Sequence, residues 1–386
     1  MADSEFRTEG NMRQDMINEG NYIRPKAGSE AASCDAGTPP GDAGTPPGDA
    51  GTAIPHRMCS GIAGTPPDDE GTALTAEEMA FMHDNLSDCT LCHRACHVDR
   101  LSGSLGFCRM DAGIHIARSS LHFWEEPCLA GEGGSGAIFF EGCSLGCVYC
   151  QNRSISGVGP HAHGVSARSL TVAGLADEML RLQSAGAENI DLVTPTHFIP
   201  QIALAASRAR SKGLSLPIVY NTGTYEAAES IGLLKGCVDI WMPDLKYYSS
   251  ELSDRYSHAP DYFSAAAAAI SSMYDMCGPA VMDAEGRMKS GILVRHMVLP
   301  GHTRDSMAVL RYLHDTYGDN IYISIMRQYT PMPGVADLYP ELGRRVTDRE
   351  YDKVLDYAIG LGITNAFIQD KETAKESFIP DFTQFH

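Results

Sequence analysis

From about residue 136 onward, short runs of apolar, β-branched and aromatic residues alternate with longer stretches whose apolar positions recur at helical spacing. The runs AIFFEG (137–142), NIDLVTP (189–195), PIVYNTG (217–223), VDIWMPD (238–244), GILVRHMVL (291–299), IYISIM (321–326) and NAFIQ (365–369) predict strands. Between them, SLTVAGLADEMLRLQSAG (169–186), IPQIALAASRARSKG (199–213), YEAAESIGLLKG (225–236), 253–278, TRDSMAVLRYLHDTYG (303–318) and TDREYDKVLDYAIGLG (347–362) predict helices, several with a glycine stop. Strand then helix at this spacing means parallel strands joined by crossovers. The expected fold class is α/β, a full or partial (β/α) TIM-type barrel. Such barrels build their sites at the C-terminal ends of the strands, on the loops that follow.

Ahead of this pattern, TAEEMAFMHDNL (75–86) predicts a helix opened by a Thr75/Glu78 capping box. Further upstream DAGTPPG repeats from Asp35, with a degenerate echo at 63–72. Such a composition has almost nothing to bury and cannot offset its ordering entropy. The expected organisation is a disordered tail over 1–72, a helix with a four-cysteine metal-binding segment over 73–130, and the barrel domain over 131–386. Cys34 and Cys59 fall in the tail and read as incidental.

A chain of 386 residues can bury a core that needs no disulfide or metal staple. Its formal charge of −19, with no basic run, counts against a phosphate-tracking surface and so against nucleic acid. No run reaches the ~18 apolar residues of a membrane span. The first residues show neither a secretory nor a transit pattern, which makes a cytoplasmic location the default. In a reducing compartment the twelve cysteines read as thiols or metal ligands.

Three of them, Cys143, Cys147 and Cys150, crowd the loop directly after AIFFEG in C-x3-C-x2-C spacing. The intervening stretches are so short that the thiolates converge on one centre. Four cysteines close an ordinary iron–sulfur cluster, and structural zinc also takes four ligands; three leave a coordination position open. The alternatives are free thiols, or a zinc loop whose fourth ligand is Cys128 or a histidine. The strand-end position favours the cluster.

This loop resembles the signature of the radical S-adenosylmethionine (SAM) superfamily, in which an aromatic residue, here Tyr149, precedes the last cysteine. From about Cys89 onward the chain resembles the PflX-type branch, related to pyruvate formate-lyase activating enzyme. The resemblance runs through 122–156, VTPTHFIPQIALA (193–205), LPIVYNTGTYE (216–226), 239–263, GILVRHMVLPGH (291–302) and ISIMRQYTP (323–331). Trp124 and Cys128 depart from the branch, where a glycine and a small residue or proline are expected. The resemblance implies a 4Fe–4S cluster on Cys143, Cys147 and Cys150 with SAM chelated at the open iron. One electron then breaks a sulfur–carbon bond, giving methionine and a 5′-deoxyadenosyl radical that abstracts hydrogen. An electron donor such as flavodoxin or ferredoxin is the implied partner, with a glycyl-radical enzyme as the target suggested by analogy.

The resemblance also suggests roles for single residues. Thr194, Thr196 or His197 stands where activating enzymes carry a Gly-Gly-Glu that holds the SAM amino group; His197 reads equally as a solvent-facing loop histidine. Asn221, Thr222, Met242 and Asp244 resemble positions of a small cation and SAM site, although Asn221 replaces an Asp. Asp244 alternatively reads as a helix N-cap, yet with Lys246 it fits a polar site at a strand end. Arg295 lies between apolar strand residues and should meet a carboxylate, that of SAM being one candidate. His296 points the other way and reads as structural. Gln328 and Tyr329 are substrate-facing or rim packing.

A second group, Cys89, Cys92, Cys96 and Cys108, offers four thiolates and hence a closed site, for zinc or an auxiliary iron–sulfur cluster. His93 and His97 are alternative ligands. Cys128, Cys237 and Cys277 read as isolated small hydrophobes. The leading reading is a radical SAM enzyme, in its narrowest form a glycyl-radical activase. The alternatives are radical modification of a small molecule, peptide or RNA, and a non-catalytic iron–sulfur electron-transfer module.

Overall fold

The computed structural model describes residues 74–157 and 168–369. The expected tail over 1–72 lies outside the described residues. The first helix, α1 (Ala76–Leu86), opens with the capping box: Thr75 N–H donates to Glu78 Oε2 at 2.7 Å while Thr75 Oγ1 accepts from Glu78 N–H at 3.2 Å. After the four-cysteine segment come β1 (Ile114–His122), the short α2 (Pro127–Ala130), β2 (Ser135–Phe140) and β3 (Arg168–Leu170). Then follow α3 (Val172–Ser184), β4 (Asn189–Val193), α4 (Ile199–Ser211), β5 (Ile218–Thr222), α5 (Ala228–Gly232) and β6 (Ile240–Pro243). The remainder is α6 (Ser250–Ser257), α7 (Tyr262–Cys277), β7 (Val281–Met282), β8 (Met288–Met297), α8 (Thr303–Tyr317), β9 (Tyr322–Met326), α9 (Val335–Leu338), α10 (Asp348–Leu361) and β10 (Ala366–Ile368).

All seven expected strands form, as β2, β4, β5, β6, β8, β9 and β10, and each pairs in parallel with the next in that order. Three strands were not expected: β1 and β3 extend the sheet antiparallel beyond β2, and β7 pairs antiparallel with β8. Hydrogen bonding among the described residues does not close the sheet into a full barrel, because the edge of β2 that a closing strand would need is taken by β1. The finding is a mixed α/β fold around an open, parallel-rich sheet.

The sheet has two covered faces, and strand parity sorts its residues between them. One set of side chains, including Ile190, Leu192, Tyr220, Trp241, Ile292 and Val294, joins the main core, which includes residues of α3, α4, α7 and α8. The alternate set, Val219, Ile240, Met242, Leu293, Tyr322 and Phe367, packs with Cys128 and Leu129 of α2 in a second core. Burial on both faces explains why these strands read as continuous apolar runs. Two residues further along β5, β6 and β8, the second set gives way to Asn221, Asp244 and Arg295, which line a cavity of about 220 Å³. No helix of the described residues is long and apolar enough to cross a membrane.

Candidate active site

The cavity is built where β2, β4, β5, β6, β8 and β9 end. The loop after β2 brings Cys143, Cys147 and Cys150 onto one wall together with Tyr149; Asp244, Lys246 and Arg295 also line the cavity. All three cysteines are free thiols. Burial, reinforced by the neighbouring cysteines, pushes the Cys143 thiol upward and that of Cys150 to about 12. A trio of thiolates is therefore costly here without a bound cation, which suits a thiophilic metal centre. Backbone and hydroxyl donors already address the sulfurs: Leu145 N–H lies 3.3 Å from Cys143 Sγ, and Ser257 Oγ–H 3.0 Å from Cys147 Sγ. Tyr149 is buried, its hydroxyl 2.6 Å from that of Tyr247, and burial keeps both phenols protonated.

Arg295 organises the polar wall. Its Nε donates to Asp244 Oδ1 at 3.0 Å, one terminal nitrogen to Asn221 Oδ1 at 2.6 Å and the other to Glu125 Oε1 at 3.4 Å. The carboxylate expected for Arg295 is thus supplied twice by the protein itself. Asp244 also pairs with Lys246. Burial alone would raise the Asp244 carboxyl, but Lys246 and Arg295 more than offset it and hold the group below its ordinary range. Behind this wall Asp191 is fully buried and pushed well up, first by desolvation and then by the charge of Glu125.

Six of the ten residues assigned to cofactor binding line the cavity: Tyr149, Thr194, Asn221, Asp244, Lys246 and Arg295. The other four do not. Thr222 follows Asn221 on β5 and so faces the opposite way; its hydroxyl and that of Thr196 both donate to Glu226 Oε1, a fully buried carboxylate. Met242 faces the same side as Asp244 but lies in the second core. His197 is not solvent-facing and lines not this cavity but a smaller one beside Cys89, Cys92, Cys96 and Cys108. It is buried, its Nε2–H donates to Glu141 O at 2.6 Å, and burial with the nearby Arg100 lowers its pKa to about 3, leaving it neutral. His296 is buried with Nδ1 2.7 Å from Leu245 O. Gln328 reaches the cavity, whereas Tyr329 is buried and donates to Leu342 O at 2.6 Å. Cys128 is a buried free thiol and Cys277 a half-buried one, and Cys237 is buried in the main core.

Glu125 was missed by sequence reasoning, and with His122 it lines the cavity from the unexpected β1 side. The available signal was the adjacent acids Glu125 and Glu126 ahead of Pro127. Glu126 is buried, and desolvation, aided by the charge of Glu125 and opposed by Arg295, raises its pKa from 4.5 to about 7. Its protonated form is favoured in the fold, so its contribution to stability is full below 4.5 and disappears as pH rises through about 7. Chemical denaturation should find that Glu126→Gln removes up to about 3 kcal/mol of stability loss between about pH 5 and about pH 8. Parallel pH profiles for wild type and variant would contradict this.

Cys89, Cys92, Cys96 and Cys108, all free thiols, line a separate cavity of about 20 Å³. Phe107 N–H lies 3.3 Å from Cys96 Sγ, and a Cβ added at Gly106 would stand 2.9 Å from that sulfur, so only glycine lets the backbone approach so closely. Arg100 is buried beside Cys89, donating to the carbonyls of His197 and Asp111, with no ion pair to a carboxylate among the described residues. Arg94, between Cys92 and Cys96, donates to Ser144 O in the three-cysteine loop at 2.9 Å. As the side chains stand, no three His, Cys, Asp or Glu among the described residues form a group that could hold a metal ion.

No family model matches the chain. Uncharacterized protein MJ0674 of Methanocaldococcus jannaschii is 28% identical over 279 residues, covering 70% of this chain and 74% of its own. Among solved structures, HydG, a maturase of the FeFe hydrogenase, matches at a TM-score of 0.40 and 15% identity over 63% of this chain and 54% of its own. SuiB of Streptococcus suis bound to S-adenosylmethionine matches at 0.38 and 12% over 59% and 47%. The chain thus spans about half the length of these two structures. At such scores the overlaps are too loose to carry an argument about function.

Proposed function

We propose that the chain is a radical SAM enzyme. The observation that supports this most is one loop of three free thiols, with an aromatic residue before the last, lining the same strand-end cavity as Asp244, Lys246 and Arg295. Cys143, Cys147 and Cys150 would hold a 4Fe–4S cluster, and the cavity of about 220 Å³ leaves room beside the thiols for a cosubstrate. When bound, the cluster would supply one electron to SAM, releasing methionine and a 5′-deoxyadenosyl radical. The protein's own part is to orient and to exclude water. Lys246 is held protonated: burial opposes its charge, but Asp244 and the neighbouring Cys147 outweigh it, so the ammonium can meet a carboxylate. Thr194 and Asn221 add neutral polar groups at the adjoining strand ends.

In its narrower form the proposal makes the chain an activase that takes hydrogen from a glycyl-radical enzyme, with flavodoxin or ferredoxin as electron donor and the strands as a partial barrel. Modification of a small molecule or peptide fits the same site. Cys89, Cys92, Cys96 and Cys108 would hold a second thiophilic metal, with Arg100 as its buried counter-ion. A cavity of about 20 Å³ is little larger than a single water site, which favours one zinc ion over a cube. Anaerobic reconstitution followed by dithionite and SAM should release 5′-deoxyadenosine. A loaded cluster that releases none would leave only the electron-transfer module.

A further inference from the structure

The hydroxyls behind Cys147 form a chain whose direction can be fixed. Ser257 Oγ lies 3.0 Å from Cys147 Sγ, Tyr247 OH 2.8 Å from Ser257 Oγ, and Tyr149 OH 2.6 Å from Tyr247 OH. Each hydroxyl has one proton to donate. A metal-ligating thiolate can only accept, so Ser257 donates to the sulfur and must itself accept from Tyr247. Tyr247, its proton committed, must accept from Tyr149. All three protons therefore point toward Cys147, starting at a residue that lines the cavity.

We propose that Ser257, oriented by Tyr247 and Tyr149, tunes the reduction potential of the iron–sulfur centre held by Cys147. An O–H bond to a ligating sulfur draws charge from it and favours the added electron, so the centre becomes easier to reduce. The donors are shielded from competing water, Ser257 and Tyr247 being fully buried, and hydrogen bonds in series strengthen one another. The backbone around Ser257 is pinned to the cysteine loop on both sides. Val148 N–H donates to Tyr256 O at 2.8 Å, and Arg94 donates to Ser257 O at 3.2 Å as well as to Ser144 O. His258 ends α6 in a left-handed conformation (φ 52°), which turns the chain away directly after Ser257.

The inference rests on the cluster proposed above, so its test reads iron and potential separately. Reconstituted wild type, Ser257→Ala, Tyr247→Phe and a control, Ser253→Ala, are assayed for iron and titrated anaerobically by electron paramagnetic resonance. Ser253 is buried on the same helix and donates to Ser250 O, away from the thiols. All four should hold equal iron. The equilibrium constant for one-electron reduction should fall about tenfold in Ser257→Ala, a shift of 59 mV. Tyr247→Phe should shift the same way by less, and Ser253→Ala not at all. Full iron with an unchanged potential in Ser257→Ala overturns the inference while leaving the cluster reading intact. Absence of iron from wild type overturns both. Should Ser257→Ala alone lose iron, Tyr247→Phe decides: a lowered potential supports the inference and an unchanged one defeats it.

Discussion

Cys147→Ala is expected to abolish iron loading and 5′-deoxyadenosine formation while leaving the sheet folded and the four-cysteine site occupied. Two thiolates cannot replace three on a cube that already lacks one protein ligand, so iron should fall from about four per chain toward none. The fold loses one half-buried sulfur and the hydrogen bond from Ser257, a cost of about 1 kcal/mol. Cys92→Ala should do the reverse. It should remove about one zinc per chain and loosen the 89–108 segment, because metal affinity and folding are the same free energy in such a knuckle. The iron should remain. The two sites touch at Arg94, which spans from one cysteine group to the carbonyl of Ser144 in the other loop. Metal analysis of the two variants, with circular dichroism for the sheet, tests this division. Loss of zinc together with iron in Cys147→Ala, or collapse of the sheet, would refute it.

The parallel strands were legible because burial on both faces leaves uninterrupted apolar runs, of which AIFF in β2 and IWMP in β6 are examples. The strand β1 was not, since IHIARSSLH mixes polar residues into a half-buried strand and its register shifts at Ile116/Arg118. Closure was equally invisible, because it depends on what occupies the far edge of β2, and no local pattern states that. At the site, the cysteines declared themselves by spacing, whereas the threonines misled. Parity offered a correction that the sequence already contained: Asn221, aligned by the ladder with Met242, shares a face with Val219, so its neighbour Thr222 belongs with Tyr220 on the other side. His197 could not have been placed in this way. Its role as a buried brace, ring to Glu141 and carbonyl to Arg100, comes from two segments far apart in the chain. Glu125 was hidden for the same reason, its partner Arg295 lying 170 positions away.

That distant pair sets the other large effect. Arg295→Met is expected to cost about 3 kcal/mol of stability, because the lost guanidinium leaves Glu125 and Asp244 largely buried with far less compensation. Arg295→Lys should recover less than half of this, since an ammonium cannot span Asp244, Asn221 and Glu125 in one plane as the guanidinium does. If charge rather than packing dominates, adding Asp244→Asn to Arg295→Met should return at least about 1 kcal/mol, a coupling that a merely steric defect would not give. The pH dependence gives an independent check of sign. The folded state holds the Asp244 carboxyl below its ordinary 3.8, so its contribution is present above that value and is lost as pH falls below it. The difference between wild type and Arg295→Met, measured by urea unfolding, should therefore shrink as pH drops through this range. A difference that stays constant down to about pH 3 would mean that Arg295 stabilises the site through its apolar stem and not through its charge.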